Sequence, residues 1–169
     1  GKAIVWNAAT GQPVGQPLQH VKNVNSVAFS PDGKLILTAC GDGIVRVWSA
    51  NNYSILRNVG QHNGEAVSAR YSPDGSLIVT ASVDAAYLWD VKTGRRKAEL
   101  KHKGLINSAV FSPDSRLIIT ASADKTSSVW DARTGENIAV LTGHTGEVRE
   151  AVFSPDGQSV LTASEDQTA

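Results

Sequence analysis

The chain of 169 residues carries sixteen basic and sixteen acidic side chains and is 41% apolar, the make-up of a globular domain that buries a core. With no net charge it lacks the broad positive field that tracks a phosphate backbone or an anionic bilayer, and no apolar run nears the ~18 residues of a membrane span, so neither nucleic acid nor membrane is expected as a partner. One cysteine, Cys40, leaves no internal disulfide framework and fits a reducing, cytoplasmic setting.

Methionine is absent and the opening GKAIVWNAATG lacks the pattern of a secretory signal, which reads as a part of something longer. Taken from the N-terminus, the first strands are expected at about 3–6 and 13–18. VNSVAF, LILTAC, IVRVW and SILRNV follow, each short, rich in β-branched residues and bounded by Gly, Pro, Asp or Asn. None is long enough for a helix. Pro31, Asp32 and Gly33 suit a tight turn between the first two of these, and Thr93-Gly94 and Thr134-Gly135 mark later hairpins.

The same unit then recurs. The turn sequence starts at Ser30, Ser72, Ser112 and Ser154, in steps of 42, 40 and 42 residues. All four histidines, His20, His62, His102 and His144, stand nine residues before the aromatic that precedes each turn, and the tryptophans Trp6, Trp48, Trp89 and Trp130 keep the same beat. Four antiparallel strands per period make one blade of an all-β propeller.

The histidine, the SPDG turn, the T-A-S-x-D segment and the Trp-Asp pair together resemble WD repeats over essentially the whole chain. The resemblance implies a hydrogen-bonded tetrad in each blade. Matched residue by residue, these are Asp42, His20, Thr38 and Trp48; Asp84, His62, Thr80 and Trp89; and Asp124, His102, Thr120 and Trp130. The fourth has Asp166, His144 and Thr162 with no tryptophan after them. Asn7 and Ser49 replace the Asp that should follow Trp6 and Trp48, and the turn after Asp84 is one residue short. The wording of the repeats also resembles bacterial WD proteins. Independently of family, a buried imidazole needs both nitrogens satisfied, and an Asp on one side with a hydroxyl on the other achieves that.

The boundaries expected from the repeat are an outer half-blade at 1–19, complete blades at 20–61, 62–101 and 102–143, and an inner half-blade at 144–169. Split this way, two copies exchanging half-blades would form a homodimer with eight blades, in which Trp6 completes the tetrad of Thr162, His144 and Asp166. Closure of four blades within one chain and a fragment of a longer propeller are the alternatives.

Chemistry is not expected. Four histidines in four repeats do not make a metal site, a His, Thr and Asp trio present four times is a structural pin rather than one catalytic centre, and no cofactor is implied. Cys40 replaces Ser82, Ser122 and Ser164 and reads as a small core residue. Function is sought instead where equivalent positions diverge at loop ends: Asn23, Glu65, Leu105 and Glu147; Asn25, Val67, Asn107 and Arg149; and Glu165, opposite Gly41, Val83 and Ala123. Such a mixture suits a protein or peptide partner, against the alternative that loop ends simply drift. The competing class is a self-assembling structural unit with no ligand of its own.

Overall fold

The computed structural model describes residues 1–83 and 85–169, and among these all regular structure is β-strand. Strands β1 (Lys2–Trp6) and β2 (Pro13–Gln19) form a two-stranded sheet. The first complete blade holds β3 (Val24–Phe29), β4 (Leu35–Cys40), β5 (Ile44–Ser49) and β6 (Ile55–Gln61). The second holds β7 (Ala66–Tyr71), β8 (Leu77–Ser82), β9 (Ala86–Asp90) and β10 (Arg96–Leu100). The third holds β11 (Ile106–Phe111), β12 (Leu117–Ser122), β13 (Ser127–Asp131) and β14 (Asn137–Leu141). A second two-stranded sheet, β15 (Val148–Phe153) with β16 (Val160–Ser164), completes the set. All pairings are antiparallel between strands consecutive in sequence, as the repeat predicts.

Local chemistry explains the hairpins. In the first turn Ser30 Oγ donates to Asp32 Oδ1 at 2.6 Å and accepts from the Leu35 amide, while Gly33 takes φ 70°. Ser115 stands in the third turn where the others have glycine and adopts φ 65°, a left-handed conformation that costs a side chain of order 1 kcal/mol. The Asp after tryptophan has a separate job. Asp131 Oδ1 accepts from the amides of Arg133 and Thr134, and Asp90 Oδ1 from that of Thr93. Asn7 accepts in the same way from Ala9 and Thr10, and Ser49 Oγ from Asn51. Asn and Ser therefore replace Asp at this point because any side-chain oxygen can cap the turn.

The core lies between blades. Leu37, Ala39, Val45 and Val47 of the first blade pack on Ala66, Ala69, Ile78 and Trp89 of the second. Leu77, Val79 and Leu88 of the second pack on Ile106, Ala109, Phe111 and Trp130 of the third. Ile119 and Ala121 then meet Val148 and Ala151, and Ala3, Val5 and Leu18 cover Ile36 and Trp48 at the other end. Each such face removes several side chains from water, at about 1.5–3 kcal/mol for a full Val, Leu or Ile. The arc does not close: β1–β2 and β15–β16 remain separate sheets.

Candidate functional site

Each histidine follows the outer strand of one blade and reaches the threonine on the second strand of the next. In the third blade all four expected residues meet. Trp130 Nε1 donates to Thr120 Oγ1 at 2.8 Å, His102 Nε2 lies 2.7 Å from the same oxygen, and His102 Nδ1 lies 3.0 Å from Asp124 Oδ2. The ionised Asp124 carboxylate can only accept, so His102 Nδ1 donates to it and Nε2 faces the Thr120 hydroxyl, which also accepts from the indole. Burial raises the Asp124 pKa, but bonds from Thr126 Oγ1, the Lys103 amide and His102 outweigh it and hold the carboxyl at about 2. In the fourth repeat His144 bridges Asp166 at 2.9 Å and Thr162 at 2.8 Å, and the Thr168 hydroxyl holds Asp166 well below the usual carboxylate range.

The second blade joins Trp89 and His62 to Thr80 Oγ1 at 2.9 and 3.0 Å. Its expected acid, Asp84, lies outside the described residues. His62 also packs against Tyr87, with ring centroids 4.9 Å apart and planes tilted by 41°.

The first blade corrects one expectation. Thr38 Oγ1 joins His20 Nε2 and Trp48 Nε1 at 2.8 and 2.9 Å, but Asp42 does not bond His20. Its carboxylate is held by the Arg46 guanidinium at 2.6 Å, and His20 Nδ1 donates to the Leu18 carbonyl at 2.9 Å. The cause is local. Asp124 and Asp166 are each followed two residues later by a threonine that fixes one carboxylate oxygen, at 2.6 Å in both repeats. Ile44 stands there after Asp42, and Arg46 sits where the third blade has Ser128. Burial opposes ionisation of Asp42, but the Arg46 bond and the Ile44 amide bring its carboxyl down to about 2. Burial likewise lowers the His20 pKa, with Arg46 adding to the effect. The D-x-T sequence and the lone Arg before Trp48 carried this signal in the sequence.

Trp6, expected to serve the fourth tetrad, is exposed on β1. Cys40 is fully buried, its thiol donating to the Lys22 carbonyl at 3.5 Å.

Among the divergent loop-end residues, two are engaged within the fold. Asn25 Nδ2 donates to the Ala66 carbonyl at 3.0 Å and Asn107 Nδ2 to the Val148 carbonyl at 2.8 Å. Each amide ties one blade's first strand to the next, which corrects their assignment to a free contact surface. Val67 at the equivalent place has no amide to offer, and Arg149 turns to Glu165, with Nε to Oε1 at 3.0 Å, and to Glu147 at 3.1 Å. Asn23, Glu65 and Leu105 remain exposed, as does Val83. Among the described residues no group of three or more His, Cys, Asp or Glu side chains is placed to hold a metal ion, and no helix is long and apolar enough to cross a membrane.

The repeat carries over to known proteins. The family model "WD domain, G-beta repeat" matches four times, at residues 11–49, 54–90, 94–131 and 135–169. The chain is 39% identical over 46 residues to WD repeat-containing protein 37 of Homo sapiens and of Mus musculus, covering 27% of this chain and 9% of each relative. It is 35% identical over 52 residues to the Periodic tryptophan protein 2 homolog of Dictyostelium discoideum, covering 31% of this chain and 6% of that relative. These alignments span under a tenth of the length of the curated relatives. Four matches that together cover most of its length, on a frame of four-stranded antiparallel blades, make this chain a member of the WD40 repeat family.

Proposed function

We propose that the chain is a non-catalytic scaffold that binds a protein or peptide on its loop-end face, working as a ring closed with a second copy in the cytoplasm of a bacterium. The observation that carries the reading is a division of labour. The polar groups that repeat hold the blades, whereas Asn23, Glu65, Leu105 and Val83 differ from repeat to repeat and stay exposed. Glu147, Arg149 and Glu165 add a charged cluster at the same end of the fourth repeat. A rigid frame that presents varied side chains recognises a partner with little ordering cost. The location and source are supported by the single buried thiol and by the wording of the repeats.

The test is selection of binders from a displayed random-peptide library, followed by mapping. Leu105→Glu and Glu65→Lys are expected to weaken the selected peptides at least about tenfold, the effect of a ~1.4 kcal/mol contact. Substitution at the opposite turns, for example Lys34→Glu, is expected to leave them unchanged. Peptides insensitive to Leu105 and Glu65, or a library that yields none, would overturn the assignment.

A further inference from the structure

In each complete blade the third strand carries one residue opposite the tetrad threonine: Arg46 pairs with Thr38, Tyr87 with Thr80 and Ser128 with Thr120. Its side chain shares the face of the tryptophan two residues on and fills the outer part of the seam with the preceding blade. Arg46 does so by reaching Asp42. Tyr87 does so with a ring 4.9 Å from His62 and 5.9 Å from Trp89, and the Arg96 guanidinium lies 5.0 Å above it. Ser128 is too short to fill the space, and Asn137 stands opposite Trp130 where Arg96 stands opposite Trp89. A cleft of about 620 Å³ opens in consequence, bordered by His102, Asp124, Ser128, Trp130 and Val140. It belongs to the seam between the second and third blades, both of which are complete.

Two further departures from the repeat fall on this cleft. Val140, 52% exposed, lies opposite Ser128, whereas Asn58 lies opposite Arg46 and Glu99 opposite Tyr87. Lysines also stand on both sides of His102, at Lys101 and Lys103, and both border the cleft. The other histidines are flanked by Gln19 and Val21, Gln61 and Asn63, and Gly143 and Thr145. The one blade that lacks an internal filler is thus the one with an apolar wall and a doubly cationic rim.

From this we infer that the cleft between the second and third blades binds an aromatic side chain of a partner peptide, with acidic residues beside it. The ring takes the place that Tyr87 fills from within one repeat earlier. His102 and Trp130 supply the same two rings, 6.0 Å apart at 68°, and Val140 an apolar wall. An arginine, the other internal filler, does not fit the charge. The Asp124 carboxylate is already engaged by His102, Thr126 and the Lys103 amide, and the two lysines repel a cation. Acidic neighbours of the aromatic meet Lys101 and Lys103 instead. Lys101 bridges Glu99 at 3.6 Å, an exposed pair that exchanges readily for another carboxylate. The volume lies within the ~300–1,000 Å³ of ligand clefts. Asn23, Glu65, Leu105 and Val83 do not border it, so this site is separate from the loop-end face proposed above.

The experiment titrates the full chain with the peptide acetyl-Glu-Glu-Tyr-Glu-Glu-amide, followed by amide chemical shifts. The expected result is saturable binding with a dissociation constant below ~1 mM and shifts gathered at His102, Lys103, Thr126 and Ser128. Peptides with alanine in place of tyrosine, or lysine in place of glutamate, are expected to bind at least about tenfold more weakly. Ser128→Tyr, which fills the cleft as Tyr87 does, and Val140→Glu, which puts an acid on its exposed wall, should each weaken binding at least about tenfold, with strand content checked by circular dichroism. Lys34→Glu, a cation lost at the opposite turns, should leave it unchanged. Absence of saturable binding, shifts gathered elsewhere, or undiminished binding to Val140→Glu would overturn the site. Equal binding of the alanine peptide would leave a lysine patch and overturn the aromatic pocket. The peptide selection on Leu105 and Glu65 reads the loop-end face by itself, so either site can fail without the other.

Discussion

The Asp42 carboxylate is clasped by Arg46 at 2.6 Å, whereas the equivalent Asp124 lies 3.0 Å from His102. Two solutions to one burial problem thus stand at equivalent positions of the first and third blades. Arg46→Ser alone is expected to destabilise the first blade by ~1–3 kcal/mol, because a partly buried carboxylate loses its cation and Ile44 offers no hydroxyl. Adding Ile44→Thr supplies the missing donor and turns Asp42 toward His20, so the double variant should recover most of the loss. Urea unfolding of the three chains reads the difference; equal loss in the single and double variants would show that Asp42 is not free to change partners.

The threonine hydroxyl is the hub of each tetrad, and the hub is expected to matter more than any spoke. Thr120→Val leaves both Trp130 Nε1 and His102 Nε2 without a partner in a buried place, at about 1–3 kcal/mol each. Trp130→Phe removes one donor and keeps most of the ring, for about 1–2 kcal/mol. Thermal unfolding should therefore rank Thr120→Val below Trp130→Phe, with Thr120→Ser close to the parent chain. A reversed ranking would mean that ring packing, not the hydroxyl, holds the blade.

Much of this was legible beforehand, for reasons that can be named. VNSVAF and LILTAC coincide with β3 and β4 because turn chemistry and β-branched runs act locally. The histidine and threonine of each tetrad were legible because burial imposes the same pairing in every repeat. The acid of the first blade was not, since the choice of Asp42 between His20 and Arg46 depends on Ile44 and on a competitor four residues away. Asn25 and Asn107 were misread for a related reason: divergence at a loop end looks the same whether a side chain meets a partner or the next blade's carbonyl.

Acid should unfold the chain in two stages. Burial gives His20 a lowered pKa, so its folded form favours the neutral ring; that contribution is complete above about pH 6.5 and is lost as pH falls through the lowered value. Asp42 and Asp124 are held at about 2 from an ordinary 3.8, so their contribution is complete above about pH 4 and fades as pH falls toward 2. Urea midpoints from pH 7.5 to 3 should decline first below about 6.5 and again below about 4, and His20→Gln should remove part of the first decline only. A flat profile down to pH 4 in the parent chain would contradict the assignment of His20 as a neutral, buried ring.

Asn25 and Asn107 bond the first strand of the following blade, so the seams between the first and second blades and between the third and fourth repeats are tied by a side chain. The seam between the second and third is not tied in this way, because Val67 holds the equivalent place. Asn107→Ala leaves the Val148 carbonyl without its amide and should cost about 1 kcal/mol. That loss falls on the seam where Ile119 and Ala121 meet Val148 and Ala151. The expected sign is local, namely faster amide exchange over β15 and β16 than in the parent chain, with β7 to β9 unchanged. Val67→Asn tests the reverse: an amide offered to the Ile106 carbonyl should slow exchange over β11 if the blade spacing there is the same. If Asn107→Ala altered exchange uniformly over all blades, the amide would be contributing to global stability and not to one seam.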